Sequence, residues 1–231
     1  MISEKKIVVI IPAFNEEKSL PNVIHDIPDF VDEIIVVNNG STDNTSEVAI
    51  KAGATVLFEN EKGYGAACLT GIKYISNLNC DVVVFIDGDY SDHPEEMNML
   101  VNPIINNNYD FVIGSRIIGK REKGAMLPQA IFGNWLASFL IKIFWNYKFT
   151  DLGPFRAIRF LSLKELNMQD RNFGWTVEMQ IKAAKKKLRT NEVPVSYRKR
   201  IGQSKVTGTL GGTVKASVKI LYLIFISLFK N

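Results

Sequence analysis

Five apolar residues, Val82-Val83-Val84-Phe85-Ile86, lead directly into the triplet Asp87-Gly88-Asp89. A continuous run of β-branched and aromatic residues is typical of a strand that is buried on both faces. Such strands form the middle of mostly parallel α/β sheets, which bind ligands at the carboxyl ends of their strands. The two acids would therefore stand at the ligand edge, with Gly88 allowing the backbone to bend between them. An ordinary acidic turn would show the same triplet, because Asp-Gly turns are common.

Two carboxylates that approach one point need a cation between them. Oxygen ligands suit Mg²⁺ or Mn²⁺, and such ions commonly bridge to the phosphates of a substrate. We therefore expect Asp87 and Asp89 to hold a divalent metal ion together with a phosphate-containing ligand.

The first half of the chain alternates strand-like and helix-like segments. The predicted strands cover residues 7–11, 34–37, 55–58, 82–86 and 111–114. The predicted helices cover residues 16–27, 66–76 and 95–106, and Ser41-Thr42-Asp43 offers N-cap residues for a helix that reaches residue 52. Regular alternation predicts an α/β fold with a mostly parallel sheet flanked by helices. No linker or repeat interrupts the pattern, so we expect one domain over residues 1–231.

The second half carries two apolar segments with helical character. Residues 129–147 place apolar side chains at three- and four-residue spacing, which suits core packing and membrane contact equally. Residues 214–229 contain an apolar run at 220–229 that is too short to cross a bilayer, which takes about 20 residues. We expect this last helix to lie in a membrane interface or to pack against a small membrane-protein partner.

Charge is distributed unevenly, although the net value is only +4. Residues 181–231 carry twelve Lys or Arg and one acid, so the preceding residues are acidic on balance. A basic segment favours phosphates or an anionic surface as partners. We do not expect nucleic acid, because neither an aromatic-rich RNA motif nor zinc-finger spacing accompanies the charge. Cys68 and Cys80 lack metal-like spacing and indicate a reducing compartment.

Three polar loops follow predicted strands, where ligands bind in such sheets. The first contains Pro12, which stiffens the strand exit, and Asn15-Glu16, whose oxygens can accept from a ribose or a base. The second covers residues 38–45 and offers similar polar groups. In the third, Lys62-Gly63-Tyr64-Gly65 suits either a phosphate contact at a helix N-terminus or a tight turn. Cys68 replaces the third glycine of a dinucleotide fingerprint, which disfavours an NAD site.

Taken together, these segments resemble the family 2 glycosyltransferases, which have the GT-A fold. The similarity is carried by the opening Ile-Pro-Ala-Phe-Asn-Glu-Glu, the Asn-Asn-Gly-Ser-Thr-Asp-Asn-Thr loop, the Lys-Gly-Tyr-Gly loop and the Asp87-Gly88-Asp89 triplet. The dolichyl- or polyprenyl-phosphate mannose and glucose synthases are the more similar branch. Three later segments support that branch: Gly114-Ser115-Arg116, residues 150–156, and residues 197–205 with their Arg-Ile-Gly-Gln-Ser-Lys ending.

The resemblance implies three functional regions within the single domain. Residues 1–118 would bind the nucleotide sugar, residues 119–210 the acceptor, and residues 211–231 would form the apolar, membrane-associating helix. The residues implied to bind the donor are Pro12, Phe14, Glu16, Asn38 and Asp43 in the nucleoside pocket, with Gly63 and Gly65 in the glycine loop.

The resemblance also implies roles at the acidic triplet and in the basic segment. Asp87 and Asp89 would hold the metal ion, and Ser91 stands where this branch often has Gln as a third ligand. The residues implied to bind the acceptor phosphate or the leaving diphosphate are Arg116, Arg200 and Lys205. Pro154 departs from the branch, which usually has Gly before the corresponding Phe.

Several activities are compatible with these motifs. The first is a metal-dependent, inverting transfer of a hexose to a polyprenyl phosphate, which is already an anion and needs positioning more than deprotonation. An alcohol acceptor on a glycan would instead need a general base, for which Asp151 is the candidate. A nucleotide-binding peripheral membrane protein without transferase activity is the third. UDP-glucose and GDP-mannose suit the donor pocket equally.

The expected location is the cytoplasmic face of a membrane, or the cytoplasm. The implied donor residues all precede Arg116. We therefore expect a chain truncated after Gly212 to keep its affinity for the nucleotide sugar while losing membrane contact.

Overall fold

The computed structural model describes residues 4–202 and 210–229. The strands are β1 (Ile7–Ala13), β2 (Glu33–Asn38), β3 (Thr55–Phe58), β4 (Val82–Phe85), β5 (Phe111–Ser115), β6 (Arg156–Arg159) and β7 (Thr190–Pro194). The helices are α1 (Leu20–His25), α2 (Thr45–Lys51), α3 (Tyr64–Ile75), α4 (Met97–Asn107), α5 (Pro128–Trp145), α6 (Phe160–Leu166), α7 (Trp175–Lys185) and α8 (Leu210–Ile226), with a short 3-10 helix at Pro94–Glu96. The predicted α/β class is confirmed, because the seven strands form one sheet in the order β3-β2-β1-β4-β6-β5-β7.

β6 runs against its neighbours in an otherwise parallel sheet. It is antiparallel to both β4 and β5, whereas the remaining strand pairs are parallel. Its first residue, Arg156, pairs with Phe85 at the carboxyl end of β4. The segment that precedes β6 therefore reaches the ligand edge of the sheet and brings Asp151 with it.

β4 is buried on both faces, as its apolar run predicts. Val83 and Phe85 belong to the hydrophobic core on one face of the sheet, and Val82 and Val84 belong to the core on the other. Phe85 packs edge-on against Trp175 of α7, with 5.8 Å between the ring centroids. The acidic triplet thus extends from a strand that is fixed from both sides.

Several boundaries differ from the prediction. α1 begins at Leu20 rather than at residue 16, because the loop after β1 is hydrogen-bonded to the loop after β2. In that loop the Glu16 N–H donates to Thr45 Oγ1 at 2.8 Å. α3 begins at Tyr64, two residues earlier than expected, and the helix predicted over 95–106 is divided into the 3-10 helix and α4. β6, α6, α7 and β7 were not predicted.

The two predicted apolar helices are present as α5 and α8, and they pack against each other. The rings of Phe144 and Phe225 meet edge-on, with centroids 5.9 Å apart. Ile141 and Ile224 are buried, whereas the opposite sides of both helices are exposed. Within the described residues, no helix has both the length and the apolar content that crossing a bilayer requires.

Candidate functional site

Asp89 lies at the carboxyl edge of the sheet and is held by two neighbours. Its Oδ1 accepts hydrogen bonds from the backbone N–H of Ser91 at 2.9 Å and from the Ser91 hydroxyl. Its Oδ2 lies 2.7 Å from Arg200 Nη2. Ser91, the position considered for a third metal ligand, therefore orients the Asp89 carboxylate here.

The sharp turn of the acidic segment occurs at Tyr90 rather than at Gly88. Tyr90 adopts a left-handed backbone with φ of 63°, whereas Gly88 does not and has room for a Cβ at ordinary contact distance. The Tyr90 hydroxyl donates to Asp26 Oδ2 at 2.6 Å, and the Arg198 guanidinium stacks 3.5 Å from the centre of the Tyr90 ring. These two contacts hold a conformation that is unfavourable for a bulky residue.

Asp87 lies beside Asp89 and is half-buried, with its Oδ1 atom enclosed. Burial, and then the negative charge of Asp89, raise the pKa of the Asp87 carboxyl to about 7. Its Oδ1 has no hydrogen-bond partner among the residues that the structure describes. A buried acceptor of this kind, next to a second carboxylate, fits a divalent cation.

A cation at this position would depend on substrate oxygens as well. Within residues 4–202 and 210–229, the His, Cys, Asp and Glu side chains form no group of three or more that could hold a metal ion. Mg²⁺ usually keeps few protein ligands and completes its shell with water and substrate phosphates. The pair Asp87 and Asp89 agrees with such a shared site.

Asp92 is a buried carboxylate that the sequence did not single out. Both of its oxygens lack hydrogen-bond partners among the described residues, and burial, followed by the charge of Asp87, raises its pKa well above the usual value. Its backbone is bridged to Tyr197. The five residues before it already carry two acids, so a third acid beside a common Asp-Gly turn gave no further signal.

Arg116 and Asp151 form a bidentate ion pair at the same edge. Arg116 donates from Nε and Nη2 to the two Asp151 oxygens at 2.8 and 2.7 Å, and its backbone N–H also reaches Asp151 at 2.8 Å. Burial opposes ionisation of Asp151, but Arg116 outweighs it and lowers the pKa of the carboxyl below its usual value. The Arg116 guanidinium also lies 5.0 Å from the centre of the Tyr197 ring. Both Asp151 oxygens are thus committed to an arginine.

The basic loop around residue 200 follows the acidic segment closely. The Arg198 N–H donates to the Ser91 carbonyl at 2.9 Å, and the Ile201 N–H donates to the Asp89 carbonyl at 3.0 Å. These bonds place the Arg200 side chain next to the Asp89 carboxylate. Lys205, which was expected to join it, lies outside the described residues.

The residues expected to bind the nucleoside lie at the exits of the adjacent strands β1 and β2. Asn38 accepts from the Ser41 N–H at 2.8 Å and donates to Ser46 Oγ at 2.6 Å. Asp43 accepts from the Glu17 N–H at 3.2 Å. The Asp43 bond fastens the two loops to each other, whereas the two Asn38 bonds hold the β2 exit loop itself. The remaining members of the set at this edge are Pro12, Phe14 and Glu16.

The glycine loop before α3 is shaped by a second segment of backbone. A Cβ on Gly63 would come 2.1 Å from the Arg171 carbonyl oxygen, and one on Gly65 would come 2.0 Å from that of Asp170. Both positions therefore exclude any side chain. The Lys62 ammonium lies 5.6 Å from the centre of the Phe14 ring, which connects this loop with the β1 exit.

Comparison with known proteins yields one matching family model and many relatives. The model of Glycosyl transferase family 2 matches residues 8–166. The chain is 32% identical over 216 residues to the UDP-N-acetylglucosamine–dolichyl-phosphate N-acetylglucosaminyltransferase of Methanococcus voltae, covering 84% of this chain and 86% of that protein. It is 32% identical over 222 residues to the dolichyl-phosphate hexose transferase of Haloferax volcanii, covering 92% of both. It is 29% identical over 228 residues to the undecaprenyl-phosphate mannosyltransferase of Micrococcus luteus, again covering 92% of both.

A similar fold occurs among solved structures. Glucosyl-3-phosphoglycerate synthase from Mycobacterium tuberculosis, in complex with Mn²⁺, UDP and phosphoglyceric acid, superposes with a TM-score of 0.76 at 22% identity. The match covers 97% of this chain and 79% of that chain. This likeness confirms the expected GT-A architecture.

Proposed function

Because this chain belongs to glycosyl transferase family 2, we propose that it moves a hexose from a nucleotide sugar to a polyprenyl phosphate with inversion at the anomeric carbon. The observation that carries the proposal is the meeting of the buried Asp89 and the half-buried Asp87 with two guanidinium groups at one sheet edge. Asp89 contacts Arg200, and Asp87 lies in the fields of Arg200 and Arg116. Relatives that are named for dolichyl or undecaprenyl phosphate support the choice of acceptor.

The donor would occupy the edge between the β1 and β2 exits and the acidic segment. Polar groups of the two loops would contact the nucleoside, and Asp87 and Asp89 would hold Mg²⁺ or Mn²⁺ beside the diphosphate. Such an ion neutralises negative charge that develops on the leaving diphosphate. UDP-glucose, UDP-N-acetylglucosamine and GDP-mannose are the donors to test first.

The acceptor phosphate needs no general base, since it is ionised at neutral pH. One of its oxygens attacks C1 of the hexose, and the bond from C1 to the β-phosphate oxygen breaks with release of the nucleoside diphosphate. Arg200 would orient the acceptor and stabilise the leaving charge through its fork-shaped donors. Arg116, whose Nε and Nη2 are engaged by Asp151, would add positive charge and its remaining Nη1 donor. Asp151 is a poor base for an alcohol, because Arg116 occupies both of its oxygens.

The lipid acceptor calls for contact with a membrane, and α5 and α8 offer a suitable surface. Phe132 and Trp135 of α5 are 62% and 56% exposed, and Trp135 stacks on Phe139 with centroids 5.5 Å apart. Ile143 continues this stripe. We call these four residues, together with the exposed Val218, Tyr222 and Phe225 of α8, the apolar platform.

An extended exposed apolar patch on a protein is typical of an interaction site. Lys142 and Lys215 lie on the same helices, and cations near an anionic leaflet contribute about 1 kcal/mol each. The platform would thus hold the enzyme peripherally on the cytoplasmic face, with the active edge near the headgroups. A small membrane protein that covers the platform is the alternative partner.

A transfer assay tests the proposed activity. The protein is incubated with Mn²⁺, undecaprenyl phosphate and each labelled donor in turn, and the organic phase is analysed for label. We expect label in the lipid with at least one donor and none after the Mn²⁺ is chelated. Absence of lipid label with every donor in the presence of Mn²⁺ would contradict the proposal.

A further inference from the structure

An ion pair connects α8 with a turn that lies far from it in sequence. Lys219 Nζ lies 2.9 Å from Asp170 Oδ2, and the Asp170 side chain is only 2% exposed. The other oxygen of Asp170 accepts from the backbone N–H groups of Asn172 and Gly174 at 2.8 and 3.0 Å. The carboxylate therefore organises the turn before α7, and α8 supplies its positive partner.

α8 also packs directly on this turn. A Cβ on Gly174 would come 2.0 Å from Leu223 Cδ1, so the helix lies as near as a glycine permits. Ile224, one residue further along α8, is fully buried. α8 is thus part of the folded body in the same region where Lys219 meets Asp170.

The same turn also contacts the glycine loop before α3. The Ala66 N–H donates to the Arg171 carbonyl at 2.9 Å, at the start of α3. The Arg171 guanidinium pairs with Glu61 at 2.7 Å and with Glu59 at 3.6 Å. Together with the close approach to Gly63 and Gly65, these contacts make the turn one wall of the loop.

The opposite wall of the glycine loop is Asn39, at the exit of β2. Asn39 accepts from the Gly63 N–H at 2.7 Å and donates to the carbonyls of Glu59 and Glu61 at 3.1 and 2.7 Å. Lys62, within the loop, reaches the Phe14 ring of the candidate nucleoside pocket. A displacement of the turn would therefore be transmitted to the donor side of the site.

We propose that Lys219 and Asp170 are positioning residues for the nucleotide sugar, acting through the turn and the glycine loop. The inference rests on the proposed function in taking the loop as part of the donor pocket. It gives α8 two roles, since its outer face belongs to the apolar platform and its inner face braces the donor loop. A chain truncated after Gly212 would then lose donor affinity as well as membrane contact, which revises the expectation from sequence.

The test compares Lys219→Met with Lys215→Met, which alters an exposed lysine on the same helix. UDP and GDP, each with Mn²⁺, are the calorimetric probes, and amide hydrogen exchange is followed at Gly63 and Ala66. Because loss of Lys219 leaves a buried carboxylate oxygen without its partner, we expect roughly three- to tenfold weaker nucleotide binding. We also expect faster exchange at both amides. Lys215→Met should leave nucleotide affinity and the exchange of both amides unchanged, and Lys219→Arg should restore them.

The two measurements separate failure of the inference from failure of the proposed function. Unchanged exchange and unchanged nucleotide affinity in Lys219→Met would overturn the positioning role of Lys219. The proposed transferase activity would be unaffected by that result. If the wild-type protein binds neither UDP nor GDP, the donor assignment is wrong, and exchange at Gly63 and Ala66 alone decides whether Lys219 braces the loop. An Asp170→Asn variant should reproduce the exchange result, because it removes the same ion pair from the other side.

Discussion

Arg200 Nη2 lies 2.7 Å from Asp89 Oδ2, so the basic loop closes directly onto the acidic edge of the sheet. The same Asp89 oxygen is the one left available for a metal ion, because Oδ1 is occupied by Ser91. A cation and a diphosphate that enter this edge must therefore redirect Arg200 from the carboxylate to phosphate. This ion pair therefore couples the position of the basic loop to the occupancy of the acidic edge.

Replacement of Asp89 by Asn should abolish transfer and preserve the fold. A neutral amide cannot share a divalent cation with Asp87, and we expect kcat to fall by about a hundredfold or more. Turnover at saturating Mn²⁺ and thermal melting curves measure the two effects. Wild-type turnover in Asp89→Asn would exclude a metal role for this carboxylate.

Replacement of Arg200 by Lys should reduce activity although the charge is kept. Lysine cannot offer two parallel donors to a phosphate, so we expect about a tenfold loss in kcat/KM for the lipid acceptor. Arg189→Lys, at the residue immediately before β7 and at the opposite edge of the sheet, is the matched control and should behave as wild type. Full activity in Arg200→Lys would show that Arg200 acts through charge alone.

Replacement of Asp151 by Asn should destabilise the protein. Asp151 is fully buried, and its replacement leaves the Arg116 guanidinium, which is 12% exposed, without its carboxylate partner. Breaking a buried pair of this kind costs about 3–5 kcal/mol. Urea denaturation measures the change, with Glu47→Gln in an exposed helical pair as the control that leaves the midpoint in place. A variant that loses activity but keeps its stability would instead favour a general-base role.

Mn²⁺ affinity should rise with pH until about pH 7. The pKa of Asp87 is raised to about 7, mainly by burial, so the folded protein holds a proton that the cation must displace. In the metal-free protein the folded state binds this proton more tightly than the unfolded state, whose Asp pKa is about 4. The free energy of unfolding should therefore fall as the pH rises from about 4 to about 7. Calorimetry in buffers of different ionisation enthalpy should show proton release and about tenfold weaker binding at about pH 6 than above pH 7. Asp87→Asn should remove the pH dependence; its persistence there would assign the proton elsewhere.

Replacement of Trp135 by Glu should weaken binding to vesicles that contain anionic lipid. Trp135 lies in the middle of the stacked aromatic stripe of α5, and loss of its burial should reduce partitioning by about tenfold. Ile50→Glu, on the exposed side of α2, is the control with an equally exposed apolar residue. Flotation measures both variants, and equal losses would mean that the platform is not the contact surface.

The sequence predicted the five strands that consist mainly of β-branched and aromatic residues. β4 is buried on both faces, as expected for a run of Val and Phe in the middle of a parallel sheet. The acidic triplet at its end, and the meeting of the β1 and β2 loops, followed from the geometry of parallel strands.

The later elements could not be predicted because their buried positions carry polar side chains. Arg156 opens β6, yet it is fully buried and donates to the carbonyls of Leu152, Gly153 and Thr176. Gln180 of α7 is likewise buried and donates to the Asp151 carbonyl at 2.9 Å. These residues support the backbone of the site, which disrupts the periodicity that identifies a strand or a helix.

The choice between a phosphate and an alcohol acceptor tests the account most directly. Polyprenyl phosphate and the corresponding polyprenol are offered at equal concentration in the same vesicles, with Mn²⁺ and the active donor, and products are identified by mass spectrometry. We predict that only the phosphate is glycosylated, with one nucleoside diphosphate released for each lipid-linked sugar. Transfer to the polyprenol or to a soluble glycan, with the lipid phosphate unchanged, would contradict the proposal that Arg116 and Arg200 serve an anionic acceptor.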